Sequence, residues 1–418
     1  MHEVALETPK NRYQRIPLYI KILIAMGIGA LLGLFGKNVG IDATKIKWIS
    51  DLVLRILRLL ATPLIFSAIL GSIITANVSA KKAGKLMWLL ASNSVIAILI
   101  GLLVANVLKP GEKLQKLMEA TIASGLGTLP AKEPYNIWNH LFDSIPTNFF
   151  SPFVENNMIS IIILAVPIGV AMRILINSKD ELVAKTMKSF QNVFNAIFQI
   201  MITMLKWVFE LVPFAVLAVV AAIVAKVGIS SFLDMGYWII SVVVALALML
   251  GFYIVRLSVS SKISPLQFLK GGSDAFVMAF STASSAATLP VTYKCATDKL
   301  GIKPENANLG IMVGGTFNHD GTALYEAMAA LFIAQGLGKH LPIQQQIVVV
   351  IMSMIASVGA AGIPNAGLVT MIAVFMAVDL PIELIPILLT VDWFLDRCRT
   401  TINVMGDMAS TCILDAND

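Results

Sequence analysis

Asp392-Trp-Phe-Leu-Asp-Arg-Cys-Arg-Thr-Thr-Ile-Asn-Val-Met-Gly-Asp407 lies inside an apolar segment that runs from Ile382 to Leu414, and its reading decides the fold. Each charge at the centre of a bilayer costs roughly 2.5–3.5 kcal/mol on insertion scales, so charges at that depth are functional candidates. Asp392, Asp396, Arg399, Asn403 and Asp407 recur at helical spacing. At 100° per residue they share a stripe about 80° wide on one helix face. Thr400 falls at the edge of that stripe, and Arg397 points well away from it. One face thus presents a guanidinium between carboxylates, with an amide and another carboxylate further on. The alternative is a salt-bridge ladder that only joins helices, a task that apolar packing performs at lower cost.

The rest of the chain explains why such a segment has lipid around it. Of 418 residues, 57% are hydrophobic and 13% charged, against about 45–50% and about 25% in ordinary soluble domains. Too little charge is present to coat a soluble globule of this size. That composition excludes a cytosolic enzyme, a disordered chain and a secreted disulfide scaffold. Cys295, Cys398 and Cys412 are too few and too late for a disulfide framework. The net charge of +6 belongs to membrane-flanking loops rather than to a nucleic-acid surface.

Six apolar stretches in the first 260 residues read as spanning helices, at about 17–36, 50–75, 86–108, 157–176, 197–225 and 234–256. The fifth ends a longer helical run that starts near Ser189, and Pro213 is expected to bend it. With the N-terminus inside, loops 1–16, 77–85, 173–188 and 256–270 carry 13 Lys and Arg, and the opposite loops carry 8. That bias places the N-terminus in the cytoplasm.

After residue 270, polar and small residues interrupt segments at membrane depth. Ala283-Ser-Ser-Ala-Ala-Thr-Leu-Pro290 and Ala356-Ser-Val-Gly-Ala-Ala-Gly-Ile-Pro364 resemble one another across 73 residues. Backbone freed by such interruptions must be buried in protein or line a wet cavity. Broken segments in matching halves of a chain point to a transporter's binding site; two kinked but ordinary helices are the plainer alternative. Between them, Gly314-Gly-Thr-Phe-Asn-His-Asp-Gly-Thr322 is expected to unwind within an apolar helix spanning Leu309–Ile333. Its carbonyls, the Asn318 amide and the Asp320 carboxylate are hard oxygen donors suited to Na⁺. His319 has no Cys or second His at ligand spacing. Glu326, four residues after Thr322, is either a proton carrier or an interior partner for Lys or Arg.

Four ordered motifs resemble the signatures of the dicarboxylate/amino acid:cation symporter family, which includes the excitatory amino acid transporters and archaeal aspartate-transporting relatives. They are Ser284-Ser-Ala-Ala-Thr-Leu-Pro290, Asn318-His-Asp-Gly-Thr322, Ala360-Ala-Gly-Ile-Pro-Asn-Ala-Gly367 and the Asp392–Asp407 stretch. With Ile145-Pro-Thr-Asn148 the likeness spans about residues 12–414. It implies an all-α polytopic membrane protein of eight transmembrane helices and two re-entrant hairpins, with tips near 284–288 and 360–366. It also implies inverted repeats, an elevator-type mechanism, a homotrimer, and a plasma or bacterial inner membrane location with both termini cytoplasmic. Residues 1–270 would be mainly scaffold, except that the third and sixth helices join 271–418 in a moving transport domain.

The same likeness implies roles. Arg399 would clamp the substrate's side-chain carboxylate, with Asp392 holding it and Thr322 adding a hydroxyl. Asp396 would take the α-ammonium, and Asn403 with the Ser284 and Ser285 backbone the α-carboxylate. Thr400 borders this site, and Ile363 and Gly367 would close over it. For two or three Na⁺, Asn403, Asp407, Gly314 and Asn318 resemble one site, and Thr316, Ser357, Val358 and Ala360 a second. Asn318 and Asp320 with Asn93 and Ser94 of the third helix resemble a third. Glu326 stands where proton-coupled members have their carrier, so H⁺ joins Na⁺ as a candidate ion.

Three positions depart from the family pattern. His319 replaces the usual Met, and Leu90 and Asn93 fall where the family shows Tyr and Thr hydroxyls. Arg397 matches the arginine of animal members, whereas archaeal relatives carry theirs where this chain has Ala283. For substrate, Arg399 argues against neutral amino acids and Asp396 against C4-dicarboxylates, which have no ammonium group. An acidic amino acid, L-glutamate or aspartate, satisfies both; a proton- or sodium-coupled C4-dicarboxylate transporter is the alternative. A protease is disfavoured: Val404-Met-Gly-Asp407 lacks the first glycine of an aspartyl motif, and Ser285 lies between Ser284 and Ala286 rather than in Gly-x-Ser.

Overall fold

A computed structural model describes residues 18–36, 40, 45–46, 48–75, 80–115, 118, 142, 144–155, 157–228, 235–358 and 366–416. Regular structure among these residues is helical throughout. In order, the helices are α1 Leu18–Phe35, α2 Trp48–Thr75, α3 Ala80–Leu108, α4 Ser151–Glu155 and α5 Met158–Ile176. Next come α6 Glu181–Phe209, α7 Val212–Val227, α8 Met235–Ser260, α9 Pro265–Thr282 and α10 Ser285–Lys294. The chain ends with α11 Pro304–Phe317, α12 Asp320–Gly336, α13 Ile343–Val358, α14 Ala366–Ala377 and α15 Ile385–Ala416. Five helices among the described residues, α2, α3, α5, α6 and α8, contain windows long and apolar enough to cross a membrane. On α3 the outward face is apolar: Leu99, Leu103 and Val107, four residues apart, are all exposed. Such a stripe is what lipid, rather than water, accommodates.

Three sequence expectations need correction. The stretch at 197–225 is two helices, because Glu210 and Leu211 form a turn between α6 and α7. Pro213 has no N–H to give and its ring crowds the carbonyl four residues earlier, which ends the helix there. The run leading into it begins at Glu181, not near Ser189, because Asp180 caps that end by accepting from the N–H groups of Leu182 and Val183. Arg256, grouped by sequence with loop charges, lies inside α8 and is half-buried.

The second half of the chain repeats one pattern. A helical pair, α9 and α10, leads into α11 and α12; another pair, α13 and α14, leads into α15. The first turn-round is local chemistry. Ala283 adopts a left-handed conformation at φ 50° to stop α9, and Ser284 Oγ then accepts from the Ala287 N–H to start α10. Residues 359–365, between α13 and α14, lie outside the described residues.

Helix α15 packs against α8, α9, α11 and α12, while α12 packs against α3. Every residue of α12 is buried, so it is the axis of this half. Close approach to α3 depends on Gly101, where a Cβ would stand 2.8 Å from the Leu324 carbonyl oxygen. On the other side of the molecule, α7 lies along α1, and α2 packs against α5 and α6.

Candidate functional site

The α15 stripe faces inward along its whole length. Asp392, Asp396, Arg399, Thr400, Asn403 and Asp407 are buried, with Arg399 at 0% exposure. Arg397 is half-buried and donates to the carbonyls of Phe280 and Ser281, at 2.8 and 2.6 Å. That places the last turn of α9 within two residues of Arg399 along α15. The Arg399 guanidinium pairs with Asp392 Oδ1 at 2.9 Å and donates to Asp396 Oδ1 at 2.8 Å. It also lies 4.0 Å from the centre of the Tyr325 ring, a cation–π distance. A Cβ on Gly367, at the start of α14, would come 3.6 Å from Arg399 Nη2 and 3.3 Å from Thr322 Cγ2. Gly367 and Thr322 therefore bound the space in front of the guanidinium.

One turn further along, α15 meets the break between α11 and α12. That break is shorter than the sequence implies. Gly314 and Gly315 remain helical in α11, Gly321 is helical in α12, and only Asn318 and His319 leave the helical region. Asn403 holds the first turn of α12: its Oδ1 accepts the Gly321 N–H at 2.8 Å and its Nδ2 donates to Thr322 Oγ1 at 3.2 Å. Gly321 sits so close to α15 that a Cβ would stand 2.6 Å from the Arg399 carbonyl oxygen. Gly321→Ala is therefore expected to destabilise the protein by about 1–3 kcal/mol, as overpacking does. A lowered thermal midpoint in detergent checks this; an unchanged midpoint refutes the close contact.

Around the break, hard oxygens gather. Asn318 Nδ2 donates to Asp407 Oδ1 at 3.2 Å, while Asn318 Oδ1 is buried with no hydrogen-bond partner among the described residues. An orphaned amide oxygen beside a buried carboxylate is a natural place for a hard cation. Among the described residues no three His, Cys, Asp or Glu side chains converge as a metal centre, so a cation here needs amide and main-chain oxygens. Asp320, wholly buried, accepts from Ser94 Oγ at 2.7 Å and from the Tyr253 hydroxyl at 2.5 Å.

Other expected positions are scattered more widely. Ser284 and Ser285 are buried at the start of α10. Ser357 is buried, with its hydroxyl turned to the Met354 carbonyl, and Val358 is half-buried beside it. Thr316 is exposed and its hydroxyl bonds the Met312 carbonyl, which leaves its own carbonyl as the relevant atom. Ala360 and Ile363 lie outside the described residues. Asn93 is buried, but its Oδ1 accepts from Arg256 and its Nδ2 donates to Ser410 Oγ. Glu326 is buried and accepts from the Thr370 hydroxyl on α14.

Sequence reasoning missed Tyr253, Arg256, Tyr325, Thr370 and Ser410. For Tyr253 and Arg256 a signal existed, since the two polar groups stand three residues apart in an apolar helix. The others are single polar residues on α12, α14 and α15, and only packing reveals their partners.

Four aspartates, Asp320, Asp392, Asp396 and Asp407, are buried along α12 and α15; Arg399 pairs with Asp392 and Asp396, while Asp407 bonds Asn318 and Asp320 bonds Ser94 and Tyr253. When ionised they leave an excess of negative charge that must attract cations. Arg399 meanwhile offers a planar fork to a carboxylate. The arrangement can hold an anion and cations side by side.

Comparison with known proteins agrees with this chemistry. Residues 18–417 match the family model described as the sodium:dicarboxylate symporter family. The chain is 31% identical to excitatory amino acid transporter 2 of Mus musculus, covering 85% of this chain and 70% of that protein. It is 29% identical to the proton/sodium-glutamate symport protein of Geobacillus stearothermophilus, over 96% of this chain and 94% of that protein. Identity to the C4-dicarboxylate transport protein of Rhizobium leguminosarum is also 29%, over 95% and 88%.

Proposed function

The chain belongs to the sodium:dicarboxylate symporter family, and from that membership and the buried Arg399 cluster we propose that it is a sodium-coupled symporter of acidic amino acids, L-glutamate or aspartate. The single observation that carries the substrate assignment is the Arg399–Asp396 contact. Substrate binding exchanges partners. The side-chain carboxylate takes the Arg399 fork, and the released Asp396 takes the α-ammonium. Asp392 keeps Arg399 in place from the other side. Asn403, Thr322 and the start of α10 complete the polar lining. A C4-dicarboxylate has no ammonium for Asp396 and would meet an unpaired buried carboxylate, which costs several kcal/mol.

Sodium is cargo. Asp407, Asn403, Gly314 and Asn318 supply one site, and the carbonyls of Thr316, Ser357, Val358 and Ala360 a second. The Asn318 Nδ2–Asp407 Oδ1 bond, which brings two residues of the first site together, supports it. Since Asn403 serves both substrate and ion, binding of each favours the other, and the coupling is reciprocal. Glu326, bonded to Thr370 of α14, is the candidate proton carrier.

Transport follows by movement of α3, α8 and residues 271–418 against the remaining helices, which would form a homotrimeric scaffold, with both termini cytoplasmic. The α13–α14 pair serves as the outer gate. The test uses proteoliposomes made without Na⁺. An inward Na⁺ gradient is expected to drive accumulation of radiolabelled aspartate or glutamate. Equal uptake under a proton gradient alone, in the absence of Na⁺, overturns the sodium assignment.

A further inference from the structure

Beside Asp320, Asn93, one of the two α3 residues expected at a third sodium site, already has a cation. Arg256 reaches across from α8 and donates to the Leu89 carbonyl at 3.4 Å, to Ser92 Oγ at 2.8 Å and to Asn93 Oδ1. Those are a main-chain carbonyl, a hydroxyl and an amide oxygen, the donor classes that hold a hard cation. The other end of Asn93 is fixed on Ser410, which keeps its oxygen turned toward the guanidinium. Leu90, the neighbouring position on α3, contributes no oxygen and is buried with Leu86 and Leu414.

The acid itself is occupied as well. Both Asp320 oxygens accept hydrogen bonds, one from Ser94 and one from Tyr253, which lies one turn before Arg256 on the same face of α8. Arg256 and Asp320 also attract one another through space. A free ion entering here would have to displace Arg256 from Asn93 and then sit beside a fixed like charge, which Coulomb repulsion opposes.

We propose that Arg256 is a tethered cation standing in place of a third sodium ion, so that this chain couples acidic substrate to two sodium ions. The inference rests on the sodium-symport reading above. It makes Arg256 a positioning and stoichiometry-determining residue rather than one that touches substrate. Each cycle then moves one charge fewer than a three-sodium symporter would, because Arg256 remains with the protein.

The deciding experiment titrates the purified full-length protein with aspartate or glutamate by calorimetry, across a Na⁺ series at constant ionic strength. Below sodium saturation, apparent affinity scales with the power of Na⁺ concentration set by the number of ions bound with substrate. A tenfold fall in Na⁺ is expected to weaken wild-type binding about 100-fold, and Arg256→Lys likewise. In Arg256→Gln, which frees the Asn93 oxygen and removes the tethered charge, the same fall is expected to approach about 1000-fold. A loss of about 1000-fold in the wild type, or an Arg256→Gln response still near 100-fold, overturns the proposal. Should Arg256→Gln not fold, reversal potentials of wild-type flux in liposomes settle it. Those potentials are expected to fit two sodium ions per substrate, and three sinks the idea. Substrate affinity that ignores Na⁺ altogether refutes the sodium-coupled reading itself.

Discussion

Arg399→Cys is expected to abolish measurable uptake of aspartate and glutamate while leaving a folded protein in the membrane. The wild-type guanidinium is wholly buried and pairs with Asp392 and Asp396. Truncating one partner of a buried, hydrogen-bonded charge pair at a binding contact costs about 2–5 kcal/mol, roughly a 30-fold to several-thousand-fold loss of affinity at about 1.4 kcal/mol per tenfold. Acidic substrate loses its carboxylate partner and in addition meets two uncompensated aspartates. A neutral amino acid suffers less, because its ammonium still finds Asp396. Serine or alanine uptake by the variant would therefore show that the site is intact. Unchanged aspartate affinity in Arg399→Cys would contradict the clamp.

Asp396→Ser separates the two substrate classes. Asp396 is 8% exposed and its carboxylate already contacts Arg399 at 2.8 Å. Loss of this carboxylate removes the ammonium partner, and the expected fall in glutamate or aspartate affinity is again roughly 30-fold or more. Succinate, with two carboxylates and no ammonium, is expected to gain, since Arg399 then faces one competing acid instead of two. Competition of succinate against labelled aspartate, in wild type and variant, reads both effects. Succinate that competes equally well in the two proteins would remove Asp396 from the selectivity mechanism.

Both predictions rest on residues that can be found without coordinates. Charges at i, i+4 and i+7 in an apolar segment have a single economical reading, a functional stripe at membrane depth. The turn between α9 and α10 falls where the small-residue run 283–290 marked an interruption, whereas Pro213, expected only to bend one helix, stands at a full break between α6 and α7. Glycines misled, however. Three of them around Asn318 implied a long unwound stretch, yet Gly314, Gly315 and Gly321 stay helical. The reason is packing: Gly321 is small so that α12 can lie against the Arg399 backbone, not so that the chain can turn.

Arg256 shows the opposite failure. Its position near the end of an apolar run made it look like one more loop charge, because a one-dimensional count of Lys and Arg has no information about depth or partners. Its ties to Leu89, Ser92 and Asn93 join residues more than 160 positions away, and no local period encodes them.

The sequence alone determined the solvent, the helical class, the repeated broken segments and the inward stripe of α15, since each follows from short-range spacing and the cost of charge in lipid. Tertiary structure alone decided which oxygens remain available to cations. Hydrogen-bond partners between helices are set by how α3, α8, α12 and α15 pack. Asn93, a cation ligand by position, becomes an arginine's acceptor, and Asn318 keeps a buried oxygen in reserve. A residue's type fixes what it can bind; its neighbours fix whether that capacity is still free.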